Sequence, residues 1–189
     1  MTTLYSGGHV FDGHGTLLEN HGVLIEDDRI AHIAPNSEFE GFTGEHVDTS
    51  GGTVLPGLID CHDHLSSFTY DLMSRWRLTE PGSLRNLRIA KVAEETLLTG
   101  YTTIRDCGWL DAGFKMAVEE GLYPGPRLVL SIGIISPTGG LADRVSGSGH
   151  GHQHFDPRLP SGVADGIDAI RSKVREMARS GADVIKFAT

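Results

Sequence analysis

Two patterns of apolar residues divide the chain. As far as about residue 49, short apolar runs are broken by glycine and proline, and residues 22–33 form two such runs on either side of an acidic turn. That pattern predicts a β-hairpin within a small all-β unit. From residue 54 onward, short apolar runs alternate with amphipathic stretches. The strands predicted there cover 54–60, 101–106, 127–135 and 183–188, and the helices cover 84–99, 112–120 and 163–179.

Strands that alternate with helices predict a parallel sheet with right-handed crossovers. The chain is therefore expected to be an α/β protein with a small β unit over 1–53 and a βαβαβαβ unit over 54–189. Ser83 is expected to cap the first helix, and Gly100, Gly121 and Gly181 are expected to follow the three helices. At 189 residues the chain is shorter than the roughly 250 residues of a complete TIM barrel.

Composition and charge exclude several classes of function. The formal net charge is −9, so the basic surface that nucleic-acid binding requires is lacking. No apolar run approaches the ~18 residues of a membrane span, and the first residues do not form a signal peptide. Cys61 and Cys107 are expected to be reduced thiols, which predicts a cytoplasmic protein.

Two histidines follow the first strand of the second unit. His62 and His64 stand two residues apart, and side chains two apart on an extended chain point the same way. Both imidazoles can therefore reach one cation at the end of a parallel strand, where barrel active sites form. The alternative is a pair of solvent-facing loop histidines. Imidazole and carboxylate ligands suit zinc, iron and manganese alike.

Lys186 lies within the last apolar strand. A lysine at this position can protect an exposed sheet edge from aggregation. The functional alternative is a buried amine with a depressed pKa, which can take up carbon dioxide. The resulting carbamate has two anionic oxygens and can bridge two divalent cations.

A long polar loop over 136–162 carries further candidates. It can overhang the site and contact substrate, or serve as a mobile or interface loop. Its candidate substrate-binding residues are Asp143, His150, His152 and His154.

Several other residues have two interpretations each. Asp106 either lines the site or caps the next loop, and Asp60 either orients a ligand or ends its strand. Trp76 and Trp109 either shape a substrate pocket or pack in the core or an interface.

Three segments resemble the amidohydrolase superfamily. Residues 54–64 resemble its first-strand signature, 102–106 its second strand, and 181–186 the strand that carries its carbamylated lysine. Residues 125–127 and 136–140 are similar to those of the imidazolonepropionase-like and Xaa-Pro dipeptidase-like enzymes within it.

This resemblance implies a (β/α)8 TIM-like barrel, of which the first four β/α units are present, preceded by a small β-sandwich. It also implies two divalent metal ions, usually zinc, with His62 and His64 on the more buried ion and carbamylated Lys186 bridging both. A metal-bridging hydroxide would attack an amide carbonyl. The remaining ligands and the general-base aspartate would lie beyond residue 189, in the missing C-terminal half of the barrel.

The resulting prediction is a metal-dependent amidohydrolase that cleaves a dipeptide or an N-acyl amino acid. One alternative is a cyclic amide or imidazolone hydrolase, and another is a non-catalytic fragment that needs the missing half from the same or another chain. The subgroup resemblance also suggests a homo-oligomer.

Overall fold

The structure is a computed structural model that describes residues 1–67, 80–143, 145, 147–149 and 159–188. The chain divides into two compact units, Met1–Pro56 and Gly57–Thr189.

The N-terminal unit consists of short strands. They are β1 (Thr2–Ser6), β2 (His9–Phe11), β3 (Leu17–Leu18), β4 (His21–Glu26), β5 (Arg29–Pro35), β6 (Glu45–Asp48) and β7 (Thr53–Val54). One sheet has the order β5-β4-β1-β6 and the other β3-β2-β7. The antiparallel pairing of β4 with β5 confirms the predicted hairpin, whose turn contains Asp27 at φ 52°. The buried apolar residues of this N-terminal unit are Leu4, Val10, Val23 and Ala34.

The C-terminal unit alternates strands with helices. Its elements are β8 (Leu58–Asp63), a 3-10 helix (Leu65–Ser67), α1 (Gly82–Leu98), β9 (Tyr101–Asp106), α2 (Ala112–Glu119), β10 (Arg127–Leu130), β11 (Ile134–Ile135), α3 (Ile167–Arg179) and β12 (Lys186–Phe187). Strands β8, β9 and β10 are parallel neighbours in chain order, and β11 pairs in parallel with β12. The described chain is thus a mixed α/β protein, as predicted.

The strand predicted over 127–135 is divided in two. Ile132 adopts φ 66°, a left-handed conformation that interrupts a strand. Ser131 N–H donates to the Asp106 carbonyl at 3.1 Å, and Trp109 N–H donates to the Ile132 carbonyl at 2.9 Å. These long-range bonds compensate for the interruption, and they leave β10 beside β9 and β11 beside β12.

Helix α2 begins at Ala112 as predicted, whereas α1 and α3 begin at other residues than predicted. Helix α1 begins at Gly82, so Ser83 lies within its first turn, and its N-cap residue Pro81 makes no side-chain cap. Helix α3 begins at Ile167 rather than at 163, because Val163 forms a parallel bridge with Ser136 instead. The C-terminal ends agree with prediction, since each expected glycine follows its helix by two residues.

The last strand is shorter than the predicted 183–188, because Asp183 and Val184 bond elsewhere. The N–H groups of both residues donate to the Leu130 carbonyl. Lys186 and Phe187 pair with β11, and the N–H of Ala188 donates to the Ile135 carbonyl at 2.9 Å.

The core of this unit lies between the parallel strands and the helices. Its buried members are Leu65, Ile89, Ala93, Ile104, Leu110, Leu128, Leu130, Ile132, Ile135, Ala164 and Met177. Strand β8 does not contribute to this cluster, although its apolar sequence predicted a buried strand. Leu58 and Ile59 are 43% and 64% exposed, because in the described part of the chain β8 pairs only with β9.

Candidate metal centre

The end of strand β8 carries the two predicted histidines. His62 lies in the strand and His64 directly follows it. An Asp60 carboxylate oxygen accepts the N–H of His62 at 2.8 Å, and an Asp63 carboxylate oxygen accepts the N–H of His64 at 2.7 Å. Each histidine backbone is therefore held by an aspartate from the same segment. Asp60 lies within β8 rather than at its end, and its role in orienting a candidate ligand stays a prediction.

The structure brings the two imidazole rings together. Their centroids lie 5.5 Å apart and the ring planes make an angle of 60°. His62 is exposed and His64 is half-buried. Because zinc–nitrogen distances are about 2.0–2.1 Å, two rings at this separation can ligate a single cation after small rotations.

Lys186 reaches the same place from strand β12. Its Nζ lies 3.4 Å from Nε2 of His62, although the residues are 124 positions apart. An ammonium group can only donate, so this hydrogen bond requires an unprotonated Nε2 whose lone pair faces the lysine. Lys186 is half-buried, between the exposed edge lysine and the buried amine that were the two alternatives from sequence. Its two-residue strand pairs with β11 alone among the described strands, which leaves the side chain partly open to solvent.

A cavity of about 230 Å³ lies between these strands. Its lining residues are His62, Arg105, Cys107, Val184, Ile185 and Lys186. Arg105 Nε donates to the Cys61 carbonyl at 2.6 Å, which ties β9 to β8 at this end. The sequence did not single out Arg105, because its proximity to the site depends on the register of two strands.

The surroundings of His64 favour a neutral ring. Burial lowers the pKa of His64, the nearby His62 and Lys186 lower it further, and a contact with the Gly108 carbonyl and the charge of Asp63 act in the opposite direction. The neutral imidazole is the form that ligates a cation.

Asp106 has no exposed surface. One carboxylate oxygen accepts the N–H of Leu65 and the other accepts the N–H of Gly108, both at 2.9 Å. Asp106 therefore caps two loops, which is one of the two roles considered from sequence. Burial raises its pKa to about 7, although the two N–H donors lower it in part.

Trp109 stacks on His64, with ring centroids 5.2 Å apart and planes 28° apart. From the sequence, Trp109 had two possible roles: shaping a substrate pocket, or packing in the core or an interface. Nothing in the local sequence indicates this contact, because the partner lies 45 positions away, just after strand β8.

The predicted substrate-binding loop is described only in part. The Asp143 carboxylate accepts the N–H groups of Gly139 at 2.8 Å and Val145 at 3.2 Å, so it holds the loop backbone. His150, His152, His154 and Trp76 lie outside the described residues. Contact of this loop with substrate stays a prediction.

Both cysteines are free thiols, Cys61 exposed and Cys107 buried. Within the described ranges, no group of three His, Cys, Asp or Glu side chains could hold a metal ion. The third candidate donor beside His62 and His64 is Lys186, and an amine becomes an anionic oxygen ligand only after carboxylation. Two imidazoles with a carboxylated lysine suit divalent zinc, so the residues present fit the implied metal.

No helix in the described part of the chain is both long and apolar enough to span a bilayer.

The profile of the amidohydrolase family matches residues 53–189. Ochratoxinase from Aspergillus niger is 30% identical over 201 residues, which cover 98% of this chain and 41% of that protein. Imidazolonepropionase from Klebsiella pneumoniae is 47% identical over 49 residues, which cover 26% of this chain and 12% of that protein. The solved structure of a prolidase complexed with N-methylphosphonate-L-proline is 32% identical with a TM-score of 0.82, covering 99% of this chain and 46% of its own.

The chain thus spans less than half the length of the ochratoxinase and the prolidase that it matches. These matches confirm the resemblance inferred from the three strand motifs, and they support a hydrolase. The chain belongs to the amidohydrolase family.

Proposed function

We propose that the protein hydrolyses the amide bond of a dipeptide or an N-acyl amino acid, using two divalent metal ions held by His62, His64 and carboxylated Lys186. Zinc is the preferred metal because both imidazole and carbamate are among its usual donor types. The observation that carries this proposal is the 3.4 Å separation between Lys186 Nζ and His62 Nε2, which joins two distant strand ends.

The proposed carboxylation of Lys186 is a balanced addition. The ammonium group first releases one proton to solvent. The neutral amine then attacks carbon dioxide, a nitrogen–carbon bond forms as one carbon–oxygen π bond opens onto oxygen, and a second proton passes from the nitrogen to solvent. The product is an anion with two oxygens in place of a cation that repels metal. The partial exposure of Lys186 gives carbon dioxide access to the amine.

Metal ions at this site would supply a nucleophilic hydroxide near neutral pH and would polarise the amide carbonyl. The chain itself orients the donors. Asp60 and Asp63 hold the backbone at His62 and His64, and Arg105 holds β9 against β8. The cavity beside Lys186 provides room next to the donors for part of a small substrate.

A dipeptide substrate is supported by the similarity to the prolidase bound to a proline phosphonate. A second candidate, hydrolysis of a cyclic amide or imidazolone, is favoured by the local 47% identity to an imidazolonepropionase. Both reactions cleave a carbon–nitrogen bond, so the same metal site serves either one. Substrate choice is therefore a matter for direct assay.

We further propose that residues outside this chain complete the site and supply the remaining ligands and the general base. The support is that the described residues bring together only two imidazoles and one lysine at this place. The exposed apolar residues of the outer strands, such as Ile59 and Phe187, also suit burial under further polypeptide.

The test uses the whole polypeptide that the gene encodes, stripped with a chelator and reloaded with zinc, manganese or iron. Dipeptides with and without C-terminal proline, N-acyl amino acids and an imidazolone form the substrate panel. We expect hydrolysis that depends on metal, and a loss of more than about 100-fold in kcat/KM for His62→Ala, since losing an outer-shell contact alone costs about 10–100-fold.

Two further variants sharpen the test. Lys186→Ala should lose activity and regain part of it with a short carboxylic acid that replaces the carbamate, and intact mass should show added carbon dioxide on the natural protein. His32→Ala, an exposed histidine of the N-terminal unit, should keep full activity. Full activity of the stripped protein, or of His62→Ala, would refute the proposal.

A further inference from the structure

The loop after strand β9 is attached to the segment that carries His64. The Asp106 carboxylate accepts one N–H from Leu65, the residue after His64, and one from Gly108, both at 2.9 Å. The N–H of Cys107 also donates to the Asp63 carbonyl at 2.8 Å. The bonds from Leu65 and Cys107 therefore fix this loop to the backbone on both sides of His64, and the bond from Gly108 holds the loop on itself.

The same loop contacts the His64 ring through a carbonyl group. The Gly108 oxygen lies 3.4 Å from Nδ1 of His64. A carbonyl oxygen can only accept, so Nδ1 must carry the proton, and Nε2 keeps the lone pair that can bind a cation. Gly108 has φ 141°, and a Cβ there would lie 3.0 Å from the Ile134 side chain, so a larger residue would shift the carbonyl.

Trp109 covers the face of the His64 ring. Its φ of 75° is unusual for a residue with a side chain, and its N–H donates to the Ile132 carbonyl at 2.9 Å. Ile132 is itself at φ 66°. Trp109 and Ile132, which this hydrogen bond joins, thus both keep unfavourable backbone conformations. At this place the indole stacks on the His64 ring, with ring centroids 5.2 Å apart.

We propose that Asp106 and Trp109 are positioning residues for His64. Asp106 holds the loop so that the Gly108 carbonyl selects the Nδ1–H tautomer, and Trp109 fixes the ring plane, so that Nε2 is presented to the metal. This inference rests on the proposed metal site, and it assigns to residues of β9 and its loop a role in metal affinity.

A purely structural role makes a different prediction. If Asp106 and Trp109 only stabilise the fold, their loss lowers the melting temperature and leaves the tautomer and metal affinity of the folded protein unchanged. If they position His64, the tautomer and the affinity change even in protein that remains folded.

The experiment uses the whole gene product with ¹⁵N-labelled histidine. Long-range nitrogen–proton spectra of the metal-free protein report the His64 tautomer, and competition between zinc and a chromophoric chelator reports affinity. In the natural protein we expect the Nδ1–H tautomer. Asp106→Asn should give a mixture of tautomers, since an amide cannot accept both N–H groups with two oxygens.

Trp109→Ala should weaken zinc binding by about 10–100-fold, the usual cost of losing a group that orients a ligand. Trp109→Phe keeps a stacking ring and should restore affinity to within about threefold of the natural value. Ile89→Val, a core change on α1, is the control for lost stability and should change neither readout.

The inference is overturned if Asp106→Asn and Trp109→Ala keep the natural tautomer and zinc affinity while folded. This outcome is distinct from failure of the proposed function. A protein that hydrolyses no amide but shows the expected tautomer and affinity changes refutes the function and keeps the positioning role. An active protein whose Asp106→Asn and Trp109→Ala variants keep the natural tautomer and zinc affinity keeps the function and refutes the positioning role.

Discussion

A carboxyl group without exposed surface resists ionisation, and Asp106 is such a group. Its two N–H donors favour the charged form but do not offset burial, so its pKa is raised from 3.8 to about 7. The cost of ionising Asp106 within the fold should therefore appear as a pH dependence of stability.

The sign of that dependence follows from proton binding. Between pH 3.8 and about 7 the folded protein keeps a proton on Asp106 that the unfolded chain has lost. Raising the pH through this window should lower the free energy of unfolding, by at most about 1.4 kcal/mol per pH unit. Below the window both states are protonated, and above it both are ionised, so the slope disappears.

Urea unfolding of metal-free protein at a series of pH values checks this prediction. The unfolding free energy of the natural protein minus that of Asp106→Asn should fall from pH 4 to 7 and then level off. A difference that is flat or rises over this range would contradict the prediction.

Asp183 supplies a control of opposite sign. Burial alone would raise its pKa, but hydrogen bonds from Lys115 Nζ at 2.6 Å and Leu130 N–H at 2.9 Å lower it on balance. The stabilisation by Asp183 is therefore present above its unfolded pKa near 3.8 and is lost as the pH falls through the lower folded value. Asp183→Asn should therefore be less stable at neutral pH. The unfolding free energy of the natural protein minus that of Asp183→Asn should be flat between about pH 5 and 7, because Asp106 is present in both proteins.

Local sequence predicts some of the site and not the rest, for a physical reason. His62 and His64 are found because alternation along one strand places them side by side. Asp106 and Trp109 contact a segment more than 40 positions away. Asp106 accepts the backbone N–H of Leu65, and Trp109 stacks on the His64 ring. A contact of that kind leaves no mark in residue spacing.

At the scale of elements, strands β8 and β9 approach closely at Gly57. A Cβ built at Gly57 would overlap the Thr102 side chain. Gly57→Ala should therefore force the start of β8 away from β9 and lower the free energy of unfolding by about 1–3 kcal/mol, the usual cost of overpacking. Thermal and urea unfolding of the whole gene product measure the change.

Two variants control this prediction. Thr102→Ala removes two of the three overlapping atoms and should recover part of the loss in the double variant. Gly82→Ala, at the first position of α1, meets nothing within 4 Å and should leave stability equal or slightly higher. If Gly57→Ala is as stable as the natural protein, the close approach does not limit this strand pair.

The periodicity of apolar residues is sufficient to predict some of the strands and helices, but not all of their boundaries. The hairpin, the three helices and strand β9 follow from apolar spacing and glycine positions. The division of the third strand depends on bonds from Ser131 to Asp106 and from Trp109 to Ile132. The late start of α3 depends on the bridge between Ser136 and Val163. Both features come from tertiary hydrogen bonds, which override local propensity.

At the scale of the whole molecule, the outer strands of the C-terminal unit expose apolar side chains. Ile59 on β8 is 64% exposed and Phe187 on β12 is 71% exposed. An apolar groove of about 540 Å³ lies beside β12, with Ile185 and Phe187 in its wall. Exposed apolar strand edges pair with other chains unless they are covered.

If further polypeptide covers these edges, residues 1–189 expressed alone should form associated species whose size grows with concentration, whereas the whole gene product should form one species of defined size. Sedimentation velocity over a range of micromolar concentrations measures this difference. Ile59→Ser with Phe187→Ser should weaken the association, since both changes remove apolar surface from the edge strands. Leu122→Ser removes a side chain that is 73% exposed between α2 and β10, and it should have no effect. A monomeric 1–189 chain would contradict the requirement for a covering partner. If Leu122→Ser weakens the association as much as the two edge changes do, total apolar exposure drives the association rather than the two edge strands.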